Sequence, residues 1–384
     1  MNLRIFFDPV KEITNIDPND PGAFANNIQI NNDKFPDWQN ADLALIGIKE
    51  NRGSKSNISL ENGPDMVRKH LYNLRKGTGN YKIADLGNLR NGISLEETHL
   101  RLKEVCEILL QHDIMPIIIG GAHDMDLGQF LGYQNTGKYL NFLNIDAFVD
   151  MQGSSGDMSK HHIHKILVHE PNYIFHYCQL GYQSFLTDQE TINVLEKLHF
   201  ETHRLGSLRE NLSEFEPVIR NADLISFDIT AIRQSDAPGN SNSQPFGLTG
   251  EEACQICWYA GLSSNLTSFG IYEYNPEQDI KGQTAGVIAT MIWYLIEGYY
   301  SRIEELNVQG PDYTKYIVSM PQDPHKMTFY KHVKSEKWWL EVPYPSDKTK
   351  FARNSIVPCS YNDYQLANKG EIPNRWILTH SKLI

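Results

Sequence analysis

One imidazole and three carboxylates, His123, Asp146, Asp150 and Asp228, stand where apolar runs of this 384-residue chain give way to polar ones. His123 follows Ile117-Ile118-Ile119-Gly120-Gly121-Ala122, the paired aspartates follow Asn141-Phe142-Leu143-Asn144-Ile145, and Asp228 ends Leu224-Ile225-Ser226-Phe227. Taken singly these are ordinary residues. An aspartate at a strand end often caps a turn, and a histidine after Gly-Gly is commonly a hydrogen-bonded loop residue. Together they offer one nitrogen and a set of hard oxygens, which suits a borderline-hard divalent ion such as manganese. A metal hydrolase needs such ligands fixed on rigid strand ends, with a coordination position left for water.

The elements that must position them are legible as patterns. Short apolar runs read as parallel strands buried on both faces, and open α/β sheets place their chemistry beyond the carboxyl ends of such strands. Strands are expected at Asp42 to Gly47 and Ile83 to Gly87, then near 114–120, 140–146, 174–181, 223–228 and 268–273. Helical patterns lie between them. Gly63-Pro64-Asp65 starts one helix with proline in its first turn. Ser94 with Glu97 makes a capping box for a second, whose stripe is Leu102, Val105, Ile108 and Leu109. Thr284 to Ile303 supplies the last. This alternation predicts an α/β fold, a three-layer αβα sandwich around a mainly parallel sheet. Residues 10–40 look irregular. From 304 the alternation stops, and Met327 to Val342 reads as two short strands around Lys334 to Lys337. The division expected is therefore 1–303 for the αβα domain and 304–384 for an extension packed on it, with Trp338-Trp339 in a packing role.

Composition narrows the class. A net charge of −12 offers no basic patch for phosphates and argues against a nucleic-acid partner. No apolar run is long enough for a signal sequence or a membrane span, so a cytoplasmic protein acting on a small molecule is expected. Five cysteines form no disulfide framework. Cys254-Gln-Ile-Cys257 sits in a helical stretch without a second pair, and reads as helix packing.

The three strand ends resemble the metal-binding signatures of the ureohydrolase superfamily, which includes arginase, agmatinase and formimidoylglutamase. Those signatures are Gly-Gly-x-His, Asp-Ala-His-x-Asp and Ser-x-Asp-x-Asp followed by Ala-Pro-Gly. Here they stand as Gly120 to His123, Asp146 to Asp150 and Ser226 to Thr230, with Ala237-Pro238-Gly239 after the last. Glu273-Tyr274-Asn275-Pro276 matches a further strand end and Thr284-Ala285 the final helix. The formimidoylglutamase branch is most similar, through Tyr177 to Gln183, Gly239-Asn240-Ser241 and Ile292-Trp293. The resemblance implies an αβα fold, a homo-oligomer and manganese-dependent hydrolysis of a guanidino or formimino C–N bond. By position, His123, Asp146, Asp150 and Asp228 would hold the first ion, and Glu273 the substrate's cationic nitrogen group.

Two positions depart from the pattern. Phe148 stands where relatives have a histidine, and Thr230 where they have the second aspartate; in the family those two bind the second manganese. Phenylalanine cannot coordinate, and a neutral hydroxyl is a poor ligand for a dication. One ion is therefore expected rather than two. His161, His162 and His164, or Asp124 or Asp236, could reach the vacant position, while Arg233 fits a surface salt bridge. The expected roles are His123, Asp146, Asp150 and Asp228 as metal ligands, Asp150 and Glu273 as catalytic groups, and Glu273 and His162 as substrate-binding groups. Two functions stay open: a formimidoylglutamase-like hydrolase, or a non-catalytic relative that kept the scaffold for binding or assembly.

Overall fold

A computed structural model describes residues 2–10, 16–57, 59–152, 156–303, 305, 308, 310–320, 326–345 and 354–383. The strands of its large sheet are β1 Phe7–Asp8, β2 Gln29–Ile30, β3 Leu43–Ile48, β4 Ile83–Leu89, β5 Met115–Ile119, β6 Leu140–Ile145, β7 Ile174–Tyr182, β8 Glu201–Arg204, β9 Leu224–Asp228 and β10 Ser268–Tyr272. Their order is β1-β4-β3-β5-β10-β9-β6-β7-β8, with β2 beside the start of β4. All pairings from β4 to β8 are parallel, and β1 runs antiparallel at one edge. The helices of this part are α1 Gly63–Leu71, α2 Leu95–Gln111, α3 Asp126–Leu131, α4 His162–Leu167, α5 Gln189–Lys197, α6 Leu205–Glu210, α7 Glu216–Asn221, α8 Gly250–Gly261 and α9 Gln283–Tyr300. α1, α8 and α9 cover one face, where Val67, Ile256 and Ile292 meet Leu45, Ile117 and Phe269; α2 covers the other, with Leu102 and Val105 against Ile46 and Ile118. The expected three-layer arrangement is what the chain forms.

The connections explain where the chemistry must lie. β5 and β6 are consecutive in the chain but separated in the sheet by β10 and β9. The winding reverses between them, which opens a crevice at the carboxyl ends of these four neighbours. Register levels the tips: Tyr272 pairs with Asp228, and Ile145 with Phe227, one residue before Asp146 and Asp228 respectively.

Local expectations hold with two differences. Ser94 Oγ accepts from the Glu97 amide, but the Glu97 carboxylate takes the Ile93 amide at 2.7 Å instead of closing the box on Ser94. The edge strand β8, Glu-Thr-His-Arg, has no apolar periodicity, and only pairing with β7 makes it a strand. α1 is fixed to the sheet by Arg68, whose Nε and Nη2 donate to Asp85 of β4 at 2.7 and 2.9 Å, both side chains fully buried. Cys254 and Cys257 are buried in α8 as free thiols.

The extension is larger than two strands. β11 Tyr313–Ser319, β12 Lys326–His332, β13 Trp338–Glu341 and β14 Ile356–Cys359 form an antiparallel sheet in that order, followed by α10 Tyr361–Asn368 and α11 Asn374–Leu383. Residue 304, the expected boundary, lies outside the described residues. Trp338 and Trp339 are buried: Trp338 stacks on Tyr364 at 4.9 Å, and the Arg220 guanidinium of α7 lies 4.4 Å over Trp339. Among the described residues no helix is long and apolar enough to cross a membrane.

Candidate metal centre and active site

The Gly120-Gly121 turn after β5 places the imidazole. Both glycines have positive φ, +88° and +82°, and a Cβ on Gly121 would come within 2.8 Å of Ile48 Cγ2. The turn swings His123 over the tips of β9 and β6. There its Nδ1 lies 3.4 Å from Asp146 Oδ2, 3.5 Å from Asp150 Oδ2 and 3.2 Å from Asp228 Oδ2. The four predicted ligands thus converge, and all are buried.

The hydrogen bonds around them separate two faces. His123 Nδ1 and Asp146 Oδ2 are fully shielded and have no hydrogen-bond partner among the described residues. Buried polar atoms are seldom left so, and each such atom calls for an explanation. Metal–ligand bonds of about 2.1 Å at the tetrahedral angle separate neighbouring donors by about 3.4 Å, close to the spacings found. The residues therefore fit a divalent ion on this face. On the other face the oxygens are occupied. Asp146 Oδ1 accepts from Phe148 N at 3.0 Å and Thr230 Oγ1 at 2.8 Å, and Asp228 Oδ1 accepts from Thr230 N at 2.6 Å.

Behind the ligands lies a layer that sequence reasoning missed. His123 Nε2 is 2.9 Å from Ser226 Oγ, which donates to Asp126 Oδ2 at 3.0 Å. This contact holds the ring with Nδ1 toward the carboxylates, the usual duty of an outer partner to a ligating histidine. His162 sits in the same layer, bonded to Asp126 Oδ1 at 2.7 Å and to Asp150 Oδ2 at 3.3 Å, its ring centroid 4.3 Å from that of His123. It is completely buried and does not line the cleft. His162, expected to contact substrate, is packed beneath Asp150 by the start of α4, where donor atoms of His123, Asp150 and His162 lie within 4.8 Å of one another. The other rescue candidates point elsewhere. His161 bonds the Gln152 carbonyl and stacks on His164, Asp124 pairs with His99 at 2.7 Å, and Asp236 pairs with Arg233 at 2.8 Å.

Glu273, the residue after β10, is clamped. Its φ is +68°, sparsely populated for a non-glycine residue, and Asn57 and Asn240 both donate to its carbonyl, at 2.8 and 2.7 Å. Its carboxylate accepts from His123 N at 2.9 Å and from Asn57 Nδ2 at 2.8 Å. In the sequence Asn240 stands out only within Gly239-Asn240-Ser241, and Asn57 lies in a loop that carries no signal; Asn275, bonded to Asn57 Oδ1 at 2.9 Å, completes the brace. Glu273 reaches a cleft of about 90 Å3 that Asp150, Asp228, Phe148, Thr230 and Lys160 also line.

Crowding of acids sets the charges. Burial first, then the charge of Asp228, pushes the Glu273 carboxyl up to about 8. Burial together with Asp228 and Asp150 holds Asp146 well above the carboxylate range. Burial would raise Asp150 as well, but the imidazoles of His123, 3.5 Å away, and of His162, bonded to it at 3.3 Å, outweigh it and hold that carboxyl low. Without an ion the cluster must retain protons to be buried at all, and a dication at the His123 face would displace them.

A family model described as Arginase, arginase family, matches residues 41–297, two thirds of the chain. The chain belongs to the arginase family. Curated relatives named formimidoylglutamase include one from Geobacillus sp. (strain WCH70), 29% identical over 284 residues, covering 68% of this chain and 84% of the relative. Another, from Clostridium tetani, is 28% identical over 272 residues, covering 65% and 79%. Among solved structures, formimidoylglutamase from Bacillus subtilis superposes with a TM-score of 0.67 at 21% identity, covering 76% of this chain and 96% of that one. Trypanosoma cruzi formiminoglutamase, crystallised with Mn2+, superposes with a TM-score of 0.63 at 20% identity, covering 69% and 95%. These arginase-family likenesses establish the fold and the hydrolase family. The extension from Tyr313 onward lies beyond the family match.

Proposed function

We propose that this arginase-family protein is a formimidoylglutamase-like hydrolase working with one manganese ion held by His123, Asp146, Asp150 and Asp228. The observation that carries the reading is a pair of shielded atoms with no hydrogen-bond partner among the described residues, His123 Nδ1 and Asp146 Oδ2, 3.4 Å apart in a buried cluster of carboxylates. When bound, the ion supplies Lewis-acid activation of a water for attack on an amidine carbon. The rest of the chemistry falls to the chain. Glu273 and Asp228 present negative charge to the amidinium, and Asn57 and Asn240 keep the Glu273 backbone in the conformation that aims it. Asp150, whose carboxylate also borders the cleft, is placed to accept a hydrogen bond from the attacking water and orient it. Phe148 forms an apolar wall where relatives place a histidine, and Thr230 Oγ1 takes over the Asp146 lone pair that a second ion would use. Hydrolysis of the formimidoyl C–N bond releases formamide and the free amine.

The test is metal analysis of the purified protein, followed by turnover assays on formimidoylglutamate, arginine and agmatine. One manganese per chain with formamide release from formimidoylglutamate is the expected result. One specific observation favours the non-catalytic alternative, the hydrogen-bonded closure of the second position. Absence of turnover on all three substrates at saturating manganese would decide for it.

A further inference from the structure

β7 and β8 bring a second set of metal-type ligands together at the far end of the sheet. Register sets Cys178 opposite Glu201 and Leu180 opposite His203, and side chains two residues apart share a face of a strand. Cys178 Sγ, a Glu201 carboxylate oxygen and a His203 ring nitrogen consequently lie within 4.8 Å of one another. Glu201 is held from both sides, Oε2 at 2.8 Å from His203 Nε2 and Oε1 at 3.3 Å from His176 Nε2. Lys382 of α11 donates to His176 Nδ1, which leaves the proton of a neutral His176 on Nε2, facing Glu201. His176 therefore serves as an orienting partner to the carboxylate and not as a fourth ligand. Glu201 and His176 also border a cavity of about 320 Å3 between the sheet and the C-terminal extension, which gives an ion a route in.

We propose that Cys178, Glu201 and His203 form a metal site separate from the His123 centre, selective for zinc or a similarly soft dication. The sulfur donor sets the preference, since the His123 centre has only nitrogen and oxygen. Three protein ligands with a fourth position left for water is an arrangement zinc accepts, and Glu201 of the three borders the cavity. The thiolate and carboxylate together balance the ion's charge. Burial keeps the metal-free thiol protonated, so the ion takes the place of its proton. Two cations face the cluster: Arg375, ion-paired with Asp363 at 3.4 Å, and Lys382, which burial lowers to about 8. Through Lys382 and His176 the ion would also tie α11 to β8.

Cobalt is the probe. The full-length protein, stripped with a chelator, is titrated with Co2+ while near-ultraviolet absorption is followed. A thiolate-to-cobalt charge-transfer band must come from a cysteine ligand, which the His123 centre lacks. The expected result is a band that saturates at one thiolate-bound cobalt per chain and is displaced by Zn2+. It is lost in Cys178→Ser and unchanged in the Cys254→Ser, Cys257→Ser pair. The wild-type measurement needs no variant to fold, and the band is independent of turnover, so its outcome does not depend on the proposed hydrolase activity. No band in the wild type, or a band that survives Cys178→Ser, overturns the site and leaves the cluster as an ion-pair joint between β8 and α11.

Discussion

Replacing Phe148 by histidine and Thr230 by aspartate together should reopen the second metal position, and the structure says what this costs before any ion binds. Thr230 Oγ1 donates to Asp146 Oδ1 at 2.8 Å, a hydrogen bond worth about 0.5–1.5 kcal/mol while the metal-free Asp146 keeps its proton. An aspartate there loses that bond and sets a fourth carboxylate against Asp146. At a separation of about 3 Å and an effective dielectric near 20 the repulsion is about 5 kcal/mol. Protonation of the cluster relieves part of it, so the metal-free double variant should be about 4–6 kcal/mol less stable than the metal-free parent. Manganese at about one hundred times its dissociation constant returns roughly 2.7 kcal/mol per additional site. Two measurements check this: manganese per chain by elemental analysis, and thermal unfolding with and without manganese. The count should rise from one to two, and the manganese-induced rise in Tm should exceed that of the parent. A double variant that still binds one ion, with the parent's response of Tm to manganese, would show that Phe148 and Thr230 do not border a vacant ligand position.

The remaining predictions concern separate groups. Glu273→Gln removes the charge facing the amidinium while keeping the hydrogen bond to His123 N; kcat/KM should fall by about a hundredfold or more, roughly 3 kcal/mol, with manganese content unchanged. Asn57→Ala removes donors to both the Glu273 carbonyl and carboxylate, and should lower turnover at least tenfold without loss of the metal, which steady-state kinetics and elemental analysis together would establish. Arg68→Ala leaves Asp85 buried without its cation and should cost about 3–5 kcal/mol in denaturant unfolding, while the stripped and metal-loaded forms shift by the same amount.

Several features of this protein follow from the sequence alone because each is written in a local run. Five- and six-residue apolar strands that lead to His123, Asp146 and Asp228 fix both the layer architecture and the place where these side chains gather, since a strand buried on both faces can expose chemistry only at its end. The loss of donors at Phe148 and Thr230 is likewise a matter of residue type. Tertiary structure decided the rest. His162 reads as a loop histidine with access to substrate, yet α4 inserts it under Asp150, because burial depends on which helix covers the site. Asn57 braces Glu273 across more than two hundred residues of chain, a contact with no local pattern. The polar strand β8 exists only because β7 offers it an edge, and that pairing, by setting Cys178 opposite Glu201, brought together a group of ligands that no spacing along the chain announces.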